Sequence, residues 1–400
     1  MRIVQFANFY TPVSGGLRTC LEQTSRGFVA AGHERVLIVP GPADRDELTG
    51  SGRQVTIASP RLLGSGGYHL LTDRDRVCTL LDSVQPDVLE VSDKLSLGYL
   101  SRWARRRTVP LVLFSHERLD AVLRSRVPRP FPLSAAAGLV NRRLSRLADR
   151  IIVTSAFSAD EFARVGATNV RRIPLGVDLD TFRPAESTSD GSGRLRLVCV
   201  TRLSKEKAPE RAVDALAILH AMGVPAQLLM IGGGPLRDAL ERRAAGLPVT
   251  FAGHVSDRRA MAGLVASADV ALSPSPAESF GLATLEALAC GVPTVVPARG
   301  AAGELIVDPD SGRVTDGTPR GLAEGVLELA ARPASRRRTA ARATAERFPW
   351  STTVAGLLAL FDTLAPGAPG AGPPEPRSSC SVGELASTPT PELTRTAASA

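Results

Sequence analysis

Short apolar runs alternate along this chain with longer stretches in which apolar residues recur every three or four positions, and this alternation predicts strands and helices in turn. Strand-like runs fall at 2–8, 35–39, 87–91, 110–115, 151–155 and 170–173. Helical periodicity falls at 17–31, where Gly32 and His33 form a stop, and at 95–107. Ser158 and Glu161 have the spacing of a capping box and predict a helix to 165. A small, polar stretch at 185–193 reads as a linker, and the alternation then begins again. Strands are expected at 195–200, 227–231, 249–251, 270–272 and 293–296. Helices are expected at 209–222, 236–245, 258–267 and 282–290, then from 317 to about 348 and over 352–364. From 366 to 400 the chain is Pro, Gly, Ser, Thr and Ala with little to bury, which predicts a disordered tail.

Strand, helix, strand in succession is the βαβ pattern of a parallel sheet. Two such series in 400 residues give an α/β fold of two doubly wound, Rossmann-like domains facing a cleft. Ligands of such domains bind beyond the carboxyl ends of the strands, so the loops just after strands are where chemistry is expected.

Composition narrows the classes. No apolar run reaches the roughly 18 residues of a membrane span. Met1 and Arg2 lead directly into a strand-like run, without a signal-peptide pattern. Five scattered cysteines (Cys20, Cys78, Cys199, Cys290, Cys380) form no C-x-x-C pair, which points to a reducing, cytoplasmic setting with neither disulfide frame nor zinc site. The histidines show no metal-ligand spacing. A net charge of +8 calls for anionic partners: a nucleotide, a membrane surface or a nucleic acid. Nucleic acid is disfavoured, because aromatics are only 4% and no recognition module is present. Nearly all the positive charge is arginine; the lysines are Lys94, Lys205 and Lys207, and two of these three lie together at 204–208.

Five stretches meet the loop test. In 274–291, Glu278 and Glu286 stand eight positions apart, with Ser279, Phe280 and Gly281 leading into an apolar helix at Leu282. A helix N-terminus suits a diphosphate, and carboxylates beside it suit sugar hydroxyls. After strand 195–200, Arg202 and Lys207 offer a planar fork and a point charge, both fitted to a diphosphate leaving group. Gly15 and Gly16, after Ser14, let backbone approach a phosphate closely, although the G-x-G-x-x-G of nicotinamide enzymes is missing. His116, at the end of strand 110–115, faces the cleft and can bond a reacting hydroxyl; Glu117, Arg118 and Asp120 beside it suit an acceptor. After strand 249–251, Val255 and Asp257 can read a nucleobase, and Asp257 serves equally well as an N-cap for the helix at 258.

Together Arg202 and Lys207, Gly253-x-Val255-Ser256, and Glu278-Ser-Phe-Gly with Glu286 resemble the retaining glycosyltransferases of family 4, which have the GT-B fold. Pro174-x-Gly-Val-Asp178, followed by Phe182 and Pro184, is similar to that family's interdomain signature. More closely, Asn8-Phe-Tyr, Ser-Gly-Gly-Leu-Arg-Thr19, Glu90-Val-Ser-Asp93 and Ser115-His-Glu-Arg-Leu-Asp120 resemble actinobacterial mannosyltransferases that elongate a glycolipid from GDP-mannose. The resemblance implies an acceptor-binding domain at 1–184, a nucleotide-sugar domain at 185–348, and a helix at 349–365 crossing back to the first. It implies that Arg202 and Lys207 hold the departing diphosphate, and that Glu278 grips the donor sugar. Ser279, Phe280, Gly281 and Leu282 would offer backbone to phosphate or sugar, Glu286 would take the ribose, and Val255 and Asp257 the base. Gly15 and Gly16 would close over the phosphate, and His116 would face the transferred sugar. No divalent metal and no other cofactor are implied; Asp178-Leu-Asp180 is a formal D-x-D, but it belongs to the interdomain signature.

The acceptor is expected to be a glycolipid or lipid-linked hydroxyl. Arginines at 105–107, at 124–129, and Arg142, Arg143 and Arg146 suit an anionic surface at the inner membrane face, and equally a solvated arginine face. The alternatives are a UDP-sugar enzyme with a soluble acceptor, and a non-enzymatic nucleotide-sugar-binding protein. The second has no use for Arg202, Lys207, Glu278 and Glu286 together.

Overall fold

The computed structural model describes residues 1–11, 15–62, 67–120, 133–185 and 193–367; Ser14, the arginine-rich stretch at 124–131, most of the expected linker and the tail from 368 lie outside them. The first domain contains strands β1 (Arg2–Phe6), β2 (Glu34–Gly41), β3 (Arg45–Thr49), β4 (Gly52–Ala58), β5 (Val88–Val91), β6 (Leu111–Phe114), β7 (Arg150–Val153) and β8 (Val170–Arg172). They form one sheet in the order β3-β4-β2-β1-β5-β6-β7-β8, parallel except for the β3–β4 hairpin. Helices α1 (Gly16–Ala30), α2 (Arg74–Val84), α3 (Leu97–Arg107), α4 (Leu133–Leu147) and α5 (Ala156–Ala163) complete this half.

The second domain is all-parallel. Its strands β9 (Leu195–Val200), β10 (Ala226–Ile231), β11 (Val249–Gly253), β12 (Val270–Leu272), β13 (Thr294–Pro297) and β14 (Gly312–Thr315) run in the order β11-β10-β9-β12-β13-β14. Helices α6 (Glu210–Ala221), α7 (Arg237–Arg243), α8 (Arg258–Ala266), α9 (Leu282–Ala289), α10 (Pro319–Ala330) and α11 (Ala334–Ala345) belong to it, and α12 (Trp350–Leu364) follows. In each sheet the order reverses next to the first strand, between β1 and β5 and between β9 and β12. Loops leaving adjacent strands diverge there and open a crevice.

The chain passes between the domains twice, and the two passages touch. Val177 N–H donates to Phe348 C=O at 2.9 Å. Gly176 is required at this point, because a Cβ would lie 2.4 Å from the backbone nitrogen of Trp350. Helix α12 then packs on α1, with Phe361 and Phe28 ring centres 5.8 Å apart. One apolar cluster therefore runs from Ile3, Phe28 and Phe114 through Leu357 to Leu285 and Leu288.

Three sequence expectations are corrected. The span 317–348 holds two helices, α10 and α11, because Pro333 cannot continue a helix and caps the second instead. Helix α5 begins at Ala156, earlier than the capping-box spacing implies: Ser155 Oγ takes the Ser158 N–H at 3.0 Å. Glu161, the other half of the expected box, is drawn away to Lys94 at 2.8 Å and to Asn141 at 3.0 Å. The hairpin β3–β4 and helices α2 and α4 were not anticipated; β3 is wholly exposed and so lacks apolar alternation. Arg118 and Asp120, beside His116, form a buried ion pair at 2.7 Å, and Arg118 also donates to Asp160 and to the Phe157 carbonyl.

Candidate active site

The reversal in the second sheet explains the central contact. Lys207 lies in the loop after β9, within a 3-10 turn at Lys205–Lys207, and Glu278 lies in the loop after β12. Strands β9 and β12 are hydrogen-bonded neighbours, so the two loops leave side by side. Lys207 Nζ reaches Glu278 Oε2 at 2.7 Å, and both side chains remain partly open to solvent. Arg202, on the same β9 loop, is half-exposed, and its nearest carboxylate is Glu206 at 4.0 Å. The Arg202 loop is fixed by backbone bonds, Leu203 N–H to Gly233 C=O and Leu236 N–H to Leu203 C=O.

Helix α9 starts beside this pair. Gly281 holds a left-handed φ of 97° at its N-cap with no side-chain cap, which leaves first-turn N–H groups for an anion. Phe280 is buried and meets Phe348 edge-on, anchoring the loop. Leu282 and Val255 are half-buried against the central apolar cluster. Glu286 is buried in α9, and Arg258 at the start of α8 donates to its Oε1 at 2.8 Å. Burial raises the Glu286 carboxyl and Arg258 draws it back, leaving it above the usual carboxylate value. Asp257 is the N-cap of α8: its Oδ1 accepts from Arg259 N–H at 2.8 Å and Ala260 N–H at 3.3 Å.

Across the cleft, Gly15 caps α1 and Gly16 begins it, with nothing within 4 Å of where either Cβ would stand. His116 stacks on Phe114 at 4.3 Å and its Nε2 is 3.1 Å from Ser92 Oγ. Desolvation pushes its pKa down to about 3, so the ring is neutral.

Ser279 joins the halves. Its hydroxyl donates to the His116 carbonyl at 2.6 Å. Its carbonyl accepts from Thr154, Ser155 and Ser158 hydroxyls at 3.1, 2.6 and 3.1 Å. Glu304 reaches over the same boundary and accepts from the Ala156 and Phe157 N–H groups at 2.9 and 2.8 Å, capping α5 from the other domain. The structure thus brings together Lys207 with Glu278, and Ser279 with His116. It pairs Arg202 and Asp257 with no other expected site residue. Arg258, Thr154, Ser155 and Glu304 carry no signal in the sequence, and Ser158 only that of a helix start, since these roles arise only when distant segments meet. Among the described residues, no group of three or more His, Cys, Asp or Glu could hold a metal ion.

Two doubly wound domains that meet at a cleft, with a helix start lacking a side-chain cap and paired acidic and basic loops beside it, are the arrangement of a glycosyltransferase of the GT-B fold. The chain belongs to the glycosyltransferases of family 4: residues 14–181 match the model described as Glycosyltransferase Family 4, and residues 194–332 that of Glycosyl transferases group 1. It is 44% identical over 372 residues, 91% of this chain and 97% of the relative, to a GDP-mannose-dependent alpha-(1-6)-phosphatidylinositol dimannoside mannosyltransferase of Mycobacterium tuberculosis. It is 28% identical to the corresponding phosphatidylinositol monomannoside enzyme of Mycolicibacterium smegmatis, over 88% of this chain and 96% of that one. Its fold is similar to that of sucrose-phosphate synthase from Thermosynechococcus elongatus, with a TM-score of 0.75 at 20% identity over 91% of this chain and 98% of that one.

Proposed function

We propose that the protein moves mannose from GDP-mannose to a hydroxyl of a phosphatidylinositol-type glycolipid, with retention at the anomeric carbon, at the cytoplasmic face of an anionic membrane. The observation that carries this reading is the Lys207–Glu278 pair beside the open start of α9, in a chain 44% identical to a protein described as such an enzyme. As the bond between anomeric carbon and diphosphate breaks, Lys207 and Arg202 offset the charge growing on the phosphate oxygens. The acceptor oxygen bonds to the same carbon from the face the diphosphate leaves, and its proton passes to a phosphate oxygen. Glu278 holds hydroxyls of the transferred sugar, with Ser279, Phe280, Gly281 and Leu282 offering backbone N–H groups. Glu286 takes the ribose, Val255 and Asp257 the base, and Gly15 and Gly16 close over the diphosphate while His116 faces the sugar. No divalent metal is needed, because Arg202, Lys207 and the helix start supply the positive charge.

Helix α4 supports the membrane reading. Leu139 and Val140 are 70% and 43% exposed beside exposed Arg142, Arg143 and Arg146. Arg105 of α3 donates to the Arg146 carbonyl at 2.7 Å, joining the two arginine-rich helices in one surface. Exposed apolar side chains among arginines suit anionic headgroups. No helix among the described residues is long and apolar enough to cross a membrane.

Calorimetry with GDP and UDP, followed by turnover of GDP-mannose on membrane lipid extracts, tests the reading. GDP should bind more tightly and lipid-soluble mannose should accumulate. Tighter binding of UDP would sink the donor assignment, and turnover only on water-soluble acceptors would sink the lipid one.

A further inference from the structure

A buried carboxylate is costly unless paired, and for Glu286 the partner is Arg258. That bond uses Glu286 Oε1 and Arg258 Nη2. The second carboxylate oxygen takes no hydrogen bond among the described residues, so it is left to accept from a ligand hydroxyl. The same guanidinium makes two contacts of a different kind. It lies 4.8 Å above the ring of Phe182, in the segment between the domains. Its Nη1 donates to Thr19 Oγ1 at 3.3 Å, across the cleft on α1. Thr19 N–H in turn donates to the Gly15 carbonyl at 3.2 Å, closing the first turn of α1. One unbroken set of contacts therefore links Glu286, Arg258, Thr19 and Gly15. Arg258 Nε is buried with no hydrogen-bond partner among the described residues, so the side chain's hydrogen bonds come from the two terminal nitrogens of the fork.

We propose that Arg258 is a positioning residue: it fixes Glu286 for the ribose of a nucleoside diphosphate donor, and it links filling of that site to the seating of the Gly15 turn on the diphosphate. This rests on the donor reading above and adds a residue and a coupling to it. The planar fork matters because one guanidinium must meet a carboxylate in one domain and a hydroxyl in the other; a lysine ammonium at the end of a flexible stem has no fixed pair of directions.

The test uses the full chain, and compares binding of GDP with binding of its 2′,3′-dideoxy analogue. Wild type should prefer GDP by roughly tenfold or more, the value of a hydrogen bond to a charged group. Arg258→Gln should lose that preference by weakening GDP alone, leaving the analogue unchanged. Arg258→Lys keeps the charge and should restore only part of the preference, which guards against a simple folding failure. Thr19→Val leaves the Arg258–Glu286 bond in place. It should keep the ribose preference while lowering kcat several-fold at little change in donor KM. An undiminished preference in Arg258→Gln would overturn the role at Glu286, and unchanged kcat in Thr19→Val would overturn the coupling. A wild type that binds neither nucleotide would instead remove the donor reading itself.

Discussion

Lys207 Nζ lies 2.7 Å from Glu278 Oε2, so the cation proposed for the diphosphate and the carboxylate proposed for the sugar neutralise each other across adjacent loops. A donor must part them, placing phosphate on one and hydroxyls on the other. Lys207→Ala should lower turnover by roughly 100-fold or more, the scale for removing a group that stabilises developing charge. The pair is partly exposed, so the variant should lose no more than about 1 kcal/mol of stability. Steady-state rates and a thermal melt separate the two effects; full turnover in the variant removes Lys207 from the site.

Asp257 caps α8 through one carboxylate oxygen. Asp257→Ala should destabilise by about 1 kcal/mol, while Asp257→Ser, which can still cap, should recover most of it. If the carboxylate also reads the base, the serine variant folds normally and discriminates less between GDP and UDP. Denaturant unfolding with calorimetry on both variants decides, and unchanged GDP preference leaves Asp257 as a cap only.

His116 is neutral, with its pKa pushed by desolvation to about 3. The imidazole therefore has no charge to gain or lose between pH 5 and 9. The pH dependence of kcat/KM should show no break that His116→Gln abolishes. A limb near pH 6.5 that vanishes in this variant would show that the histidine titrates in the working enzyme.

Glu90, on β5 beside β1, is buried and accepts from Gln5 at 2.9 Å on one oxygen, while the other has no partner among the described residues. Burial raises its pKa to about 7, with Gln5 and the buried Arg35 drawing it down. Cys20 also faces it, and its thiol is pushed up by burial and by this carboxyl. Unfolded, a glutamate titrates near 4.3. Between that pH and 7 the folded chain holds a proton the unfolded chain has released, so stability falls as pH rises and levels off above 7. The fall is on the order of 3 kcal/mol, and Glu90→Gln should flatten it. Melting temperatures at pH 5 and pH 8 check this; an equal drop in the variant would rule out Glu90 as the source.

Turnover should survive an excess of chelator if, as proposed, the positive charge at the diphosphate comes from Lys207, Arg202 and the α9 start. Loss of activity that magnesium or manganese restores would contradict the metal-free course.

The alternation of strands and helices was legible because these strands are buried on both faces and read as continuous apolar runs, as in β6 and β13. β3 was not, since exposure leaves its residues free to be Arg, Asp and Glu. The positions of Lys207 and Glu278 were legible because each follows a strand, but their contact needed the strand order. Ser279 shows the limit of the sequence. Its part in the donor loop could be read from the glycine after next, yet its three hydroxyl partners lie more than a hundred positions away. Only the packing of the two domains against each other brings them within reach.

Glu304 gives that packing a reporter. The Ala156 and Phe157 amides are hydrogen-bonded to a carboxylate from the opposite domain, so a parting of the domains would break both bonds. Their deuterium uptake would count openings directly, and a donor that shuts the cleft would slow it at these two amides before slowing it elsewhere in α5.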